Sequence, residues 1–194
     1  MREITRRGLI FGAATAAASG LLLGAERVFL SVFADDTAPE DDPGPVKIVK
    51  FSDEGARLGI YTLPKVRKTK SKWKKQLTPL QYDVTRRSAT EFAFSGALYD
   101  QHAAGLYRCV DCRNALFDSK AKFDSGTGWP SFWEAIAAEN VHEKKDFSIG
   151  VLRTEVKCTL CDAHLGHVFT DGPEPTGLRY CMNSAALLFV PLKN

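Results

Sequence analysis

At 194 residues, 44% hydrophobic and 25% charged, the chain can hold one domain with a real core, and its composition is neither disordered nor fibrous. A net charge of +3 is too small to imply a nucleic-acid partner or a polyanionic surface.

Residues 1–34 are not globular. Arg2, Arg6 and Arg7 precede a soft apolar run from Gly8 to Ala25, a charged segment followed by a hydrophobic one, as in an export leader. The pair within "TRRGLI" resembles a twin-arginine signal, and small or β-branched residues stand before Asp35, where cleavage is expected. The competing reading is a retained anchor, since about 18 apolar residues nearly span a bilayer. The many glycines and alanines weaken such a span and favour cleavage. The folded part is therefore expected to be periplasmic or otherwise exported, and membrane-tethered if the leader stays.

Residues 35–74 read as a tether and N-terminal extension. "DDTAPEDDPGP" mixes acids and prolines as a flexible linker does. "VKIVKFSDEGARLGIYTL" predicts a short hairpin with its turn at "DEG". "PKVRKTKSKWKKQ" holds seven basic residues and a lone Trp73. Without interleaved aromatics it does not read as a nucleic-acid surface, and a solvated connector is expected. Thr78 before Pro79 predicts a helix start, an N-cap followed by proline at the first helical position.

From about residue 75 to 194, short runs such as "GLYRCV", "ALFD", "VLRTEVKC", "HVF" and "LLFVPL" are separated by glycine, aspartate and proline. They predict a mainly β domain of antiparallel, barrel-like sheets with one or two short helices, "SFWEAIAAEN" being the main helical stretch.

Cys109/Cys112 and Cys158/Cys161 form two CxxC pairs. Each pair puts two thiolates on one tight turn, and two such turns together make a closed tetrahedral site for a structural Zn²⁺. Two disulfides or a redox dithiol are the alternatives in an exported chain. Neither pair has the strand–helix context of a thioredoxin-like dithiol, and twin-arginine export carries proteins already folded, so one structural zinc per chain is expected.

Cys181, in "GLRYCMNS", has no partner left. A lone cysteine is often a small buried hydrophobe. Here Arg179 and Asn183 stand two residues either side, on the same face if the segment is a strand. A guanidinium nearby would favour thiolate, and an amide could orient a water or substrate oxygen. Upstream, His164 and His167 of "HLGHVF" could be metal ligands, core residues, or partners of a nucleophile.

Together "KFDSGTGWPSF", "RTEVKCTLCDAHLGHVFTDGP" and "PTGLRYCMNS" resemble the B-type methionine sulfoxide reductases, the peptide-methionine (R)-S-oxide reductases, over roughly Trp73 to Pro191. The resemblance implies antiparallel sheets with a Cys₄ zinc away from the active site. It implies Cys181 as nucleophile, with His164, His167 and Asn183 assisting, and Trp129 receiving the substrate methyl group beside Phe132. Many relatives carry a resolving cysteine where this chain has Thr127. The resemblance thus implies a sulfenic acid on Cys181 that a thioredoxin-like or other external thiol reduces. Oxidised methionine residues of proteins are the expected substrate, nucleic acid is not expected as a partner, and a monomer is expected. The alternative is an exported zinc-knuckle binding module in which Cys181 is silent.

Overall fold

The computed structural model describes residues 44–147 and 150–192. The leader expected at 1–34 and the acidic linker expected up to residue 43 lie outside the described residues.

The chain opens with the expected hairpin, β1 (Pro45–Phe51) against β2 (Arg57–Pro64). Ser52 closes its turn, bonding Ala56 and Gly55 through its backbone and accepting the Glu54 N–H on its hydroxyl. This hairpin belongs to the core. Ile48 and Val49 are buried, and both backbone groups of Val49 bond the side-chain amide of Asn140 at 2.7 and 2.8 Å. Arg108 donates to the carbonyls of Phe51 and Ser52.

The basic stretch is more than a solvated connector. Its lysines are mostly exposed, but Val66 N–H bonds the Leu160 carbonyl at 2.8 Å and Trp73 is buried under the cations of Lys68 and Arg86. About two turns of it form helix α1 (Lys70–Gln76), capped by Thr69. Helix α2 (Pro79–Arg87) starts where Thr78 and Pro79 predict. Thr78 and Gln81 form a reciprocal capping box, which satisfies two orphan N–H groups at the first turn.

The rest is antiparallel sheet. β3 (Gly105–Cys109) lies between β4 (Ala115–Asp118) and β11 (Leu187–Pro191). A six-stranded sheet runs in the order β5 (Lys122–Phe123), β6 (Ser131–Phe132), β10 (Arg179–Met182), β9 (His164–Phe169), β8 (Arg153–Cys158), β7 (Val141–Asp146). The two sheets share a core but no ladder, so the expected barrel stays open. Tyr107 and Phe117 from the smaller sheet meet Phe132 and Tyr180 from the larger one, Phe117 stacking on Phe132 at 4.4 Å between ring centroids.

Two expectations are corrected here. "SFWEAIAAEN" is not an α-helix. Trp133 and Ile136 give their N–H groups to Ala121 and Leu116 on neighbouring segments, and only Ala138–Asn140 makes a 3-10 turn. Phe132, expected beside the substrate, is completely buried in the intersheet core and presents no surface to the cleft at Cys181.

Candidate active site

The two CxxC segments fold into matching knuckles. In each, the first cysteine's carbonyl accepts the N–H of the residue after the second cysteine, Arg113 or Asp162, at 2.8 and 2.9 Å. Both of those residues have positive φ, 64° and 58°. The four sulfurs lie within 4.8 Å of one another, with Cys109–Cys161 and Cys112–Cys158 each at 3.6 Å. A tetrahedron with metal–sulfur bonds of about 2.3 Å has edges of about 3.8 Å, so the cluster fits Zn²⁺. Burial drives the Cys109 thiol well above its ordinary range, and four thiolates can coexist there only around a cation. None of these cysteines lines the cleft at Cys181, so the metal's place is structural. Arg86 grips the second knuckle, both terminal nitrogens donating to the Cys161 carbonyl at 3.0 Å.

Cys181 lies in the middle of the larger sheet, opposite Ser131 on β6 and His167 on β9, with Glu155 on β8 opposite His167. Residues three apart on a strand normally face opposite sides, yet the rings of His164 and His167 touch edge to face, 5.5 Å apart. A bulge is the cause. Val156 pairs with Gly166 but the next residue, Lys157, pairs with His164, so one residue of β9 is extra and the two histidines share a side. The freed carbonyl of Leu165 accepts both the backbone and the side-chain N–H of Asn183.

The two histidines differ in setting. His164 is buried, its Nδ1 bonded to Glu155 at 2.7 Å, and burial lowers its pKa against the pull of that carboxylate. It is therefore a neutral ring. His167 opens onto a cleft of about 130 Å³ shared with Trp129, Arg153, Phe169, Cys181 and Asn183. That is below the roughly 300–1,000 Å³ of a small-molecule site, and it admits a side chain.

Burial pushes the Cys181 thiol up, against the opposing influence of Thr127, Arg179 and Ser131. The guanidinium thus acts as expected, but desolvation outweighs it and the resting sulfur is a thiol. Arg179 is held in a fork on Asp171 at 2.9 and 2.8 Å and lies over the ring of Phe169. Asn183 lies just beyond β10, and its amide oxygen accepts the Glu91 N–H. With its amide group on Leu165, the side chain ties the frame together at the edge of the cleft.

Residues 77–191 match the SelR domain. Over 125 residues the chain is 58% identical to the peptide methionine sulfoxide reductase MsrB of Herminiimonas arsenicoxydans, covering 64% of this chain and 91% of that protein. It is 56% identical to the MsrB of Thiobacillus denitrificans over 64% and 94% of the two chains, and 55% identical to that of Bradyrhizobium diazoefficiens over 66% and 91%. The chain belongs to the MsrB family. The hairpin and the basic stretch, residues 45–76, lie ahead of the matched SelR segment and pack onto it.

Several residues of this MsrB-type site gave no signal in the sequence. Glu91 is buried; its carboxylate accepts the N–H groups of Ser184 and Ala185 at 2.6 and 2.9 Å, and its carbonyl accepts the Trp129 indole N–H at 3.2 Å. It therefore orients Trp129 and Asn183 together from a loop without regular structure. Asp146, bonded to His167, and Arg153, at the cleft, come from β7 and β8. A chain of hydroxyls links Ser131, Ser125 and Thr127, and Thr127 stands 3.9 Å from the Cys181 sulfur.

Proposed function

We propose that this MsrB-family chain reduces methionine sulfoxide residues of proteins, the R epimer, with Cys181 as nucleophile and an external thiol as reductant. One observation carries the assignment of roles: Cys181 and His167 are direct cross-strand partners in a side-chain-sized cleft walled by Trp129 and Phe169. The aromatic wall suits the S-methyl group, and the polar wall suits the sulfoxide oxygen.

The cysteine sulfur bonds to the electrophilic sulfoxide sulfur while the oxygen is protonated, and the hydroxyl then passes to the cysteine sulfur as the sulfur–sulfur bond breaks. The proton balance closes within the site. A thiol and a sulfoxide become a sulfenic acid and a thioether, and the thiol proton ends on the transferred oxygen. His167 is the group placed to carry it. Neutral His164, held by Glu155, sets the packing of the His167 ring. The zinc, held by the four knuckle cysteines, supplies structural support only.

Thr127 stands where the family resemblance implies a resolving cysteine. Two external thiols would therefore convert Cys181 sulfenic acid back to thiol, with release of one disulfide and one water. Export completes the proposal. The arginine pair and apolar run of residues 1–34 support a twin-arginine leader and a periplasmic site of action, with zinc bound before transport.

The test is turnover of separated R and S sulfoxide peptides by the zinc-loaded protein with dithiothreitol. Methionine should form from the R epimer alone and stop in Cys181→Ser. Equal use of both epimers, or turnover by Cys181→Ser, would refute the proposal. A zinc-knuckle module with a silent Cys181 would turn over neither.

A further inference from the structure

His167 is gripped from the side away from the thiol strand. Its Nε2 lies 2.8 Å from Oδ2 of Asp146, at the end of β7, and the same oxygen accepts an Nη2–H of Arg153 at 2.6 Å. Asp146 and Arg153 are register partners across β7 and β8. A carboxylate only accepts, so the proton of this bond belongs to His167 Nε2. Nδ1 is then the ring atom left for the reaction. Among the described residues, the other charged or titratable groups near the ring have settled places. Glu155, opposite on β8, is taken by His164 and Ser88; His164 is neutral; Cys181 faces the ring from β10; Arg179 is paired with Asp171.

We propose that Asp146 is a positioning residue for His167, and that Arg153 sets how much of its negative charge the imidazole feels. The inference rests on Cys181 being the nucleophile. Cys181 starts as a thiol and needs a base to become a thiolate. His167 Nδ1 takes that proton, and the resulting imidazolium is stabilised by the adjacent carboxylate. The same Nδ1–H then goes to the sulfoxide oxygen as the Cys181 sulfur bonds to the sulfoxide sulfur, and the hydroxyl passes to the Cys181 sulfur as that sulfur–sulfur bond breaks, leaving sulfenic acid and thioether. The imidazole ends as it began. By sharing the carboxylate oxygen, Arg153 keeps the ring from holding the proton so tightly that it cannot release it.

The two partners have opposite signs, which makes the inference testable. On the zinc-loaded protein, kcat and KM for an R sulfoxide peptide would be followed from pH 5.5 to 9.5, together with imidazole ¹⁵N shifts of His167. Asp146→Asn keeps an acceptor but removes the charge. It should lower kcat about tenfold at neutral pH, because the imidazolium formed in the reaction loses its counter-charge. The acid limb of kcat, where the His167 base is protonated, should move down by about one pH unit, with KM little changed. Arg153→Gln should move that limb up. The ¹⁵N shifts should report His167 losing its proton earlier in the first variant and later in the second. If both limbs stay in place, or both move the same way, while the unaltered protein turns over normally, the inference fails. A loss of kcat in Asp146→Asn with an unmoved limb and a lowered melting temperature makes Asp146 purely structural and also overturns it. Absence of turnover by the unaltered protein would defeat the assigned function instead, and the ¹⁵N shifts alone would then decide the role of Asp146.

Discussion

Cys181 shows how two influences of opposite sign meet on one atom. Arg179, two residues away on the strand, pulls toward thiolate, and burial pushes harder toward thiol. Resting Cys181 should therefore react slowly with iodoacetamide at pH 7, with a rate that climbs through and beyond the ordinary thiol range near 8.5. Fast alkylation at pH 6 would show that the guanidinium wins. Thr127 gives a second expectation at this scale. Its hydroxyl is 3.9 Å from the sulfur, so Thr127→Cys puts a second thiol within reach of the sulfenic acid. A disulfide needs its two Cα atoms about 4.4–6.8 Å apart. Mass spectrometry after one turnover without reductant should find the 127–181 disulfide in the variant, and a dimedone adduct on Cys181 in the unaltered protein. A disulfide from Cys181 to a zinc cysteine would instead mean that a knuckle opens to resolve it.

At the scale of the element, the bulge in β9 creates the site. Gly166 makes the close approach of β9 and β10 possible: a Cβ there would meet the Cys181 carbonyl oxygen at 2.1 Å, and backbone cannot yield as a side chain tip can. Gly166→Ala should push the strands apart, cost about 1–3 kcal/mol as overpacking does, and pull Cys181 out of register with His167. Urea unfolding and kcat at saturating substrate would measure both. A stable, fully active variant would show that the ladder here is slack. The spacing of His164 and His167 in the sequence could not reveal their closeness, because a regular strand would have sent them to opposite sides.

At the scale of the whole molecule, the zinc knuckles join parts far apart in the chain. Knuckle one ends β3 of the smaller sheet, and knuckle two links β8 to β9 of the larger. Val66, Lys65 and Arg86 attach the N-terminal extension and α2 to the second knuckle. Cys109→Ser should release the metal and unfold the domain as a unit, since a structural zinc contributes on the order of 10 kcal/mol of apparent binding energy. Metal content and melting temperature would check this. A metal-free protein that melts where the unaltered one does would remove zinc from the fold. The same long-range ties explain why "SFWEAIAAEN" reads as helical and is not: its backbone donors are claimed by Leu116 and Ala121, and Asn140 by Val49 and Ala115.

By itself the sequence determined what depends on neighbours along the chain and on long motifs. The capping box at Thr78, the hairpin turn after Ser52, the two thiolate pairs and the family of the lone Cys181 all follow from residues a few positions apart. Only the tertiary structure decided what depends on which strands lie side by side. It put Phe132 into the core, brought His164 and His167 together through the bulge, and set Asp146, Arg153 and Glu91 around the cleft from segments whose local sequence carries no mark of it. Strand pairing joins residues tens of positions apart, and a one-residue slip turns every side chain to the other face, so such neighbours cannot be read from spacing.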